Sequence, residues 1–420
     1  MYKEYSLIGE QVYSEKLPNG LSVFIIPKRG FHKRCAYFAA NYGAADRRFK
    51  RGGEWIDDPM GLAHFLEHKM FDTQHGSALT KLSENGASAN AFTSSDVTAY
   101  HFECVDKFSE NLETLLSFVS TPYFTPEGVE KERGIIGQEI LMDEDDPDHC
   151  LYYGLMRSLL NRHPLRDPIA GTVESIAEIT AKMLYDRHGD YYSPSNMVLC
   201  AAGDIDPSEV SGIAQKILPQ EPREVFKCDY GEPEDSLPEA ARFSKKMEVS
   251  LPIFLAGCKT GPAARGRDSL KLDLVGAMAL ELLAGHSSPL YIRLYGQGLV
   301  NSDFSASFDS TAGVAYTIFG GEAREPDRVF GEVVDEIIKL SETGPDEKLF
   351  ARIKKAAVGG YLRSLNSFDS ICGSIVGSFF RGYDAFDTPD ILSGITEGEV
   401  AAFWRERLRP ENMAVSIVEP

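Results

Sequence analysis

The chain has 420 residues, 43% hydrophobic and 25% charged, with a net charge of −20 and a pI near 4.9. That length exceeds what one hydrophobic core usually covers, so two domains of an ordinary globular protein are expected. The acidic balance argues against a nucleic-acid or anionic-membrane surface and suits neutral or basic ligands.

Met1 to Ser6 shows neither a signal-peptide apolar run nor an Arg-rich amphipathic stretch. No segment approaches the roughly 18 consecutive apolar residues of a membrane span. The seven cysteines are scattered, odd in number and never spaced as Cys-x-x-Cys. They read as reduced thiols, and a cytoplasmic location is expected.

Gln11 to Leu17 and Leu21 to Pro27 are strand-like and flank Asn19-Gly20, a two-residue hairpin signal. A third strand, Cys35 to Asn41, precedes a Gly- and charge-rich loop from Tyr42 to Asp58. Next comes Gly61-Leu62-Ala63-His64-Phe65-Leu66-Glu67-His68-Lys69-Met70, which contains His-x-x-Glu-His. On a helix, positions three and four apart are neighbours, so His64, Glu67 and His68 share one face. Leu62, Phe65 and Leu66 fall opposite and anchor the helix in a core. Asp58 is placed to cap this helix and Pro59 to enter its first turn. Two imidazoles one turn apart can grip one Zn²⁺, and the intervening glutamate can reach a metal-bound water. Such a zinc normally takes a third protein ligand.

Leu79 to Asn85 reads as a helix stopping at Gly86. Ala87 to Thr93 follows, and then the alternating segment Val97 to Glu103, a strand. Phe108 to Val119 is helical, and another helix opens after Thr125-Pro126 and runs through Glu132 and Glu139. These two glutamates project to nearly the same side. Glu139 sits in the apolar run Ile135 to Leu141, where a carboxylate needs a partner or a metal. Spacing alone does not choose between them. Asp143 to Asp148 reads as a solvated acidic loop.

Residues 219–240 are rich in Pro, Glu and Asp and read as a linker between domains 1–218 and 241–420. The second half repeats the first. Pro194-Ser195-Asn196-Met197-Val198 is echoed by Pro410-Glu411-Asn412-Met413-Ala414. Phe254 to Gly257 resembles Phe38 to Asn41, the helix Ser269 to Gly285 stands where the metal helix does, and Ala306 to Thr311 matches Ala91 to Ser94. That second helix reads Ala279-Leu280-Glu281-Leu282-Leu283 and lacks the metal set. One half is expected to do chemistry and the other to complete the cavity.

The sequence resembles the pitrilysin-type inverzincin zinc metallopeptidases, in their bacterial processing-protease-like branch. The group includes mitochondrial processing peptidase and insulin-degrading enzyme. The resemblance rests on Gly61 to His68, Asn90-Ala91-Phe92-Thr93, Glu132 with Glu139, Gly171-Thr172-Val173-Glu174-Ser175-Ile176, Tyr192 to Met197 and Gly203-Asp204-Ile205-Asp206. It implies an α/β (α+β) fold of two homologous units of the mitochondrial-processing-peptidase-like metallohydrolase type, with antiparallel-rich sheets flanked by helices. It implies Zn²⁺ on His64, His68 and Glu139, Glu67 as general base, and Glu132 orienting a ligand histidine. It also implies that Asn90, Ala91 and Phe92 form an edge strand on which an extended peptide lies.

The family's second half carries an arginine followed seven residues later by a tyrosine, both contacting substrate. Here Arg293 fits, but the tyrosine position falls on Val300 or, with one insertion, Asn301. The activity implied is that of a zinc-dependent endopeptidase or oligopeptidase. The runner-up is a non-catalytic zinc-containing subunit of a heterodimeric processing protease. Larger relatives put four repeated units in one chain, so a dimer is expected here. A heterodimer with a homologue lacking the zinc motif is favoured, because the tyrosine is missing.

Overall fold

The computed structural model describes all 420 residues. The chain forms two units, each built on its own sheet. The first comprises Met1–Ile140, Pro168–Asp229 and Leu362–Phe386. Its strands are β1 (Tyr2–Tyr5), β2 (Glu10–Lys16), β3 (Ser22–Pro27), β4 (Arg34–Ala40), β9 (Ser88–Thr93), β10 (Thr98–Cys104) and β11 (Met197–Gly203). They form one sheet in the order β1-β2-β3-β11-β4-β10-β9, antiparallel except for β3 against β11. Two small hairpins stand apart: β5 (Arg48–Arg51) with β6 (Glu54–Asp57), and β7 (Asp72–Thr73) with β8 (Gly76–Ser77).

Alternation on β4 explains the layers. Ala36, Phe38 and Ala40 join the core that also holds Phe65 and Leu66 of α1 (Leu62–Met70) and Leu112, Leu115 and Leu116 of α3 (Phe108–Ser120). Cys35, Tyr37 and Ala39 face the other way, onto Phe368, Ile371 and Ile375 of α13 (Phe368–Arg381). A strand covered on both faces reads as a continuous apolar run, as this one does. Helices α2 (Ala78–Glu84), α4 (Pro126–Asp145), α6 (Val173–Ala177), α7 (Ala181–Tyr191) and α8 (Pro207–Ile217) complete this half.

The second unit comprises Leu141–Asp167, Tyr230–Tyr361 and Asp387–Pro420. Its sheet holds β12 (Arg242–Lys246), β13 (Ile253–Pro262), β14 (Ser305–Thr311), β15 (Val314–Glu322) and β16 (Met413–Glu419), in the order β12-β16-β13-β15-β14. Its helices are α5 (Pro147–Leu159), α9 (Arg267–Ala284), α10 (Pro289–Gly296), α11 (Pro326–Thr343), α12 (Glu347–Ser364), α14 (Thr388–Gly394) and α15 (Glu397–Arg407). Strand for strand this repeats β3-β11-β4-β10-β9, including the one parallel pair, β12 with β16. A short helical turn, Pro194–Asn196 or Pro410–Asn412, precedes the equivalent strands β11 and β16.

Several local expectations are corrected. The units do not divide at one linker: α5 packs on the second sheet and α13 on the first. Gly154 lets α5 approach closely, since a Cβ there would stand 2.4 Å from the Phe243 ring. The first hairpin turns at Leu17-Pro18-Asn19-Gly20, with Gly20 donating its N–H to the Leu17 carbonyl at 2.9 Å. The two-residue Asn19-Gly20 loop is therefore not formed; Pro18 and Asn19 are the central residues and Gly20, at φ 90°, closes the turn. The presumed loop from Tyr42 to Asp58 contains the β5–β6 hairpin. The acidic stretch Asp143 to Asp148 is not a loop: it spans the end of α4 and the start of α5, and Asp146 between them caps α5 by accepting from the Asp148 N–H.

Candidate metal centre

Helix α1 is held by burial of Leu62, Phe65, Leu66 and Met70. Asp58 does not cap it; its carboxylate lies 2.7 Å from Nε of the buried Arg187. The N-cap is Gly61, at φ 88°, with no side-chain cap. A Cβ there would meet the Ala170 carbonyl oxygen at 2.4 Å, so both the turn and the close approach require glycine. The Gly171 to Ile176 motif secures this entry. Thr172 and Ser175 form a capping box on α6, and Ser175 also donates its hydroxyl to the Met60 carbonyl at 2.9 Å.

The opposite wall is α4. Thr125 caps it by accepting from the Gly128 N–H at 3.0 Å, with Pro126 in the first turn. Arg133 ties it down by donating to the carbonyls of Ile176 and Ile179. Val129, Ile136 and Ile140 are its buried residues. The apolar run around Glu139 is not buried as the sequence suggested: Ile135 and Leu141 are exposed, and the Glu139 side chain is 40% exposed. Glu132 is the more enclosed carboxylate of the two.

Three predicted residues converge. His64 Nε2 lies 3.6 Å from Glu139 Oε1, and His68 Nε2 lies 3.7 Å from Glu139 Oε2. One donor atom from each of His64, His68 and Glu139 lies within 4.8 Å of the other two. The two measured separations are too long for hydrogen bonds. They approach the edge of a zinc tetrahedron, roughly 3.3–3.4 Å for ligands about 2.0–2.1 Å from the ion. Burial, reinforced by the nearby His68 and opposed by Glu132, lowers His64 to about 4, which leaves it neutral with a lone pair to offer. Two imidazoles and one carboxylate therefore fit a catalytic-type Zn²⁺ site.

Around them lies a second ring. His68 Nδ1 stands 3.1 Å from Glu132 Oε1, which fixes the ring with Nε2 directed to Glu139. Burial works against protonated His68, but Glu132, Glu67 and Glu139 together raise its pKa. The Glu132 carboxylate is pushed up by burial yet ends lowered, through His68 and Lys69. Lys69 is almost wholly buried, pairs with Asp72 and places Nζ 3.7 Å from Glu132 Oε2. Glu67 is buried on the same helix, and the Thr93 hydroxyl donates to its Oε2 at 2.9 Å. Burial raises its carboxyl above the usual value, and the Thr93 bond partly opposes this.

Thr93 ends β9, the last strand of the sheet. Asn90 and Phe92 point outward and Ala91 is half-buried. The Ala91 N–H donates to Asn90 Oδ1 at 2.9 Å. Arg293 belongs to the second unit, on α10, where its guanidinium lies 3.1 Å from Glu332 and 3.5 Å from Glu336. Val300 is buried, and Asn301 donates to Glu322 at 2.6 Å. Sequence reasoning assigned no role to Lys69, and it did not foresee that Thr93 would bond Glu67. A lysine inside an apolar helix, with Asp72 three residues on, was the available signal.

Known proteins resemble this chain over most of its length. Residues 55–173 match the family described as Insulinase (Peptidase family M16), and residues 178–357 match the Peptidase M16 inactive domain. The uncharacterized zinc protease YmfH of Bacillus subtilis is 38% identical over 99% of this chain and 98% of its own. The uncharacterized zinc protease SCO5738 of Streptomyces coelicolor is 30% identical over 86% of this chain and 81% of its own. A putative M16-like peptidase from Alicyclobacillus acidocaldarius superimposes with a TM-score of 0.94, at 34% identity over 98% of both chains. Pitrilysin matches in fold alone, with a TM-score of 0.78 at 17% identity, over 100% of this chain and 46% of pitrilysin.

Proposed function

The chain belongs to peptidase family M16, and on that premise we propose that it is a zinc-dependent endopeptidase or oligopeptidase acting on extended peptides. The observation that carries this reading is the convergence of His64, His68 and Glu139 at ligand spacing beside the buried carboxylate of Glu67. Held by those three residues, zinc would supply a Lewis acid able to bring a water's pKa towards about 7 and to polarise a carbonyl.

The protein's own residues do the rest. Glu67, with Oε2 held by Thr93, takes a proton from water on Oε1 and returns it to the leaving amine. Its raised carboxyl suits it to both transfers. Glu132 holds His68 by Nδ1, and Lys69 neutralises Glu132 from behind. The free edge of β9 takes the peptide as an added strand, with backbone recognition dominating over side chains. The Ala91 N–H, now spent on its neighbour Asn90, supports that use.

We further propose a working dimer, favouring a heterodimer with a homologue that lacks the zinc motif. The match to less than half of pitrilysin supports a shared site, as do Val300 and Asn301 where a tyrosine is expected. Metal analysis of the purified chain, followed by mass spectrometry of a peptide library, tests the activity. Zinc-free protein, or zinc-loaded protein that leaves every peptide intact with and without a partner, would sink it. Sedimentation with assays on dilution tests the dimer, and a monomer with undiminished activity would exclude a shared site.

A further inference from the structure

We propose that Cys35, His101, Glu103 and Asp369 form a second site for a borderline divalent cation of the Zn²⁺ type, separate from the His64, His68 and Glu139 centre. It lies on the opposite face of the first sheet, under α13.

Register brings the residues together. On β4 and β10, Cys35 pairs with Glu103 and Tyr37 with His101, so all four project from one face. Asp369 comes down on them from the first turn of α13. The donor atoms of Cys35, Glu103 and Asp369 all lie within 4.8 Å of one another. His101 stands outside that trio, next to one of its members, with Nδ1 3.6 Å from Asp369 Oδ1.

A separate observation singles out His101. Its Nδ1 is sealed from solvent and has no hydrogen-bond partner, which is costly for a nitrogen beside two carboxylates. The ring is already fixed, stacked on Tyr37 at 4.3 Å and 18°. Tyr37 in turn donates to Asp369 Oδ1 at 2.6 Å, the kind of outer partner that orients a ligand carboxylate.

Charge and access agree. A thiolate and two carboxylates carry three negative charges; a divalent cation and Lys33, whose Nζ lies 2.6 Å from Glu103 Oε1, balance them. Cys35 is fully buried, whereas the Asp369 side chain is about half exposed and gives the ion an entry. One sulfur, one imidazole and two carboxylates suit Zn²⁺ or Co²⁺ better than Mg²⁺ or Ca²⁺, which prefer all-oxygen sites. Bound there, the ion would pin α13 to the sheet.

The test uses the full chain with His64→Ala and His68→Ala, kept reduced and loaded with Co²⁺. One bound Co²⁺ per chain is expected, with a near-ultraviolet thiolate-to-cobalt band that the first centre, having no sulfur, cannot give. Cys35→Ser should abolish the band. Cys372→Ser, which removes the thiol adjoining Cys35, should keep it. Asp369→Asn, an isosteric change that decides the matter if Cys35→Ser fails to fold, should weaken Co²⁺ binding at least about tenfold. Absence of bound Co²⁺, a band that survives Cys35→Ser, or Asp369→Asn binding Co²⁺ as tightly as its parent would overturn the proposal.

Discussion

Thr93 donates its hydroxyl to Oε2 of Glu67 at 2.9 Å, joining the edge strand β9 to the buried carboxylate of α1. A hydrogen bond to a charged group contributes about 1.5–3 kcal/mol. Thr93→Val should therefore lower kcat by about 10–100-fold with zinc content unchanged. Paired metal and rate measurements check this; full activity would mean that Glu67 is positioned by something else.

Glu67→Gln removes the proton carrier and leaves all three metal-spaced residues in place. It should retain zinc and lose about 10²–10⁴ in rate at least. Loss of zinc from this variant, measured by metal analysis, would show Glu67 to be a ligand.

The two glutamates of α4 should separate by their distance from the metal. Glu139→Gln should weaken zinc sharply, whereas Glu132→Gln, acting through His68 Nδ1, should weaken it by about 10–100-fold. Chelator competition ranks the two, and the opposite ranking would exchange their roles.

In the second unit, Glu234 accepts the N–H groups of Asn161, Arg162 and His163, each at 2.8 Å, and pairs with Lys259 at 3.2 Å. Burial pushes its carboxyl up, but these donors outweigh it and hold the group below its usual 4.5. A folded-state pKa below the unfolded one gives stability that is present above the unfolded value. That stability is lost as pH falls through the folded one. Glu234→Gln should thus melt below the parent at neutral pH, with the gap closing as pH drops below about 4. A gap that stays constant across thermal melts at pH 7 and pH 3 would show that the carboxylate's charge is not what matters.

Much of the candidate metal centre's geometry was legible because its logic is local. The helical period alone placed His64, Glu67 and His68 on one face and Leu62, Phe65 and Leu66 on the other. The repeat was legible through Pro194 to Val198 and Pro410 to Ala414, and it reappears as the shared strand order. Relations between distant elements were less accessible. The apolar stripe of α13 says that it covers a sheet, not which one, so the exchange of α5 and α13 was hidden. Ile135 and Leu141 looked like core by composition, yet α4 turns only Val129, Ile136 and Ile140 inward. Family register rather than burial therefore singles out Glu139. Asp58 looked like a helix cap because nothing in sequence pairs it with Arg187.

The position of α13 has a consequence for biosynthesis. The first sheet is complete at Gly203, but the helix that covers its Cys35, Tyr37 and Ala39 face begins at Phe368. Translation at about 5–20 residues per second leaves that face bare for roughly 10–30 s while roughly 165 more residues emerge. A nascent chain that ends before Phe368 would leave that apolar face of the first sheet uncovered.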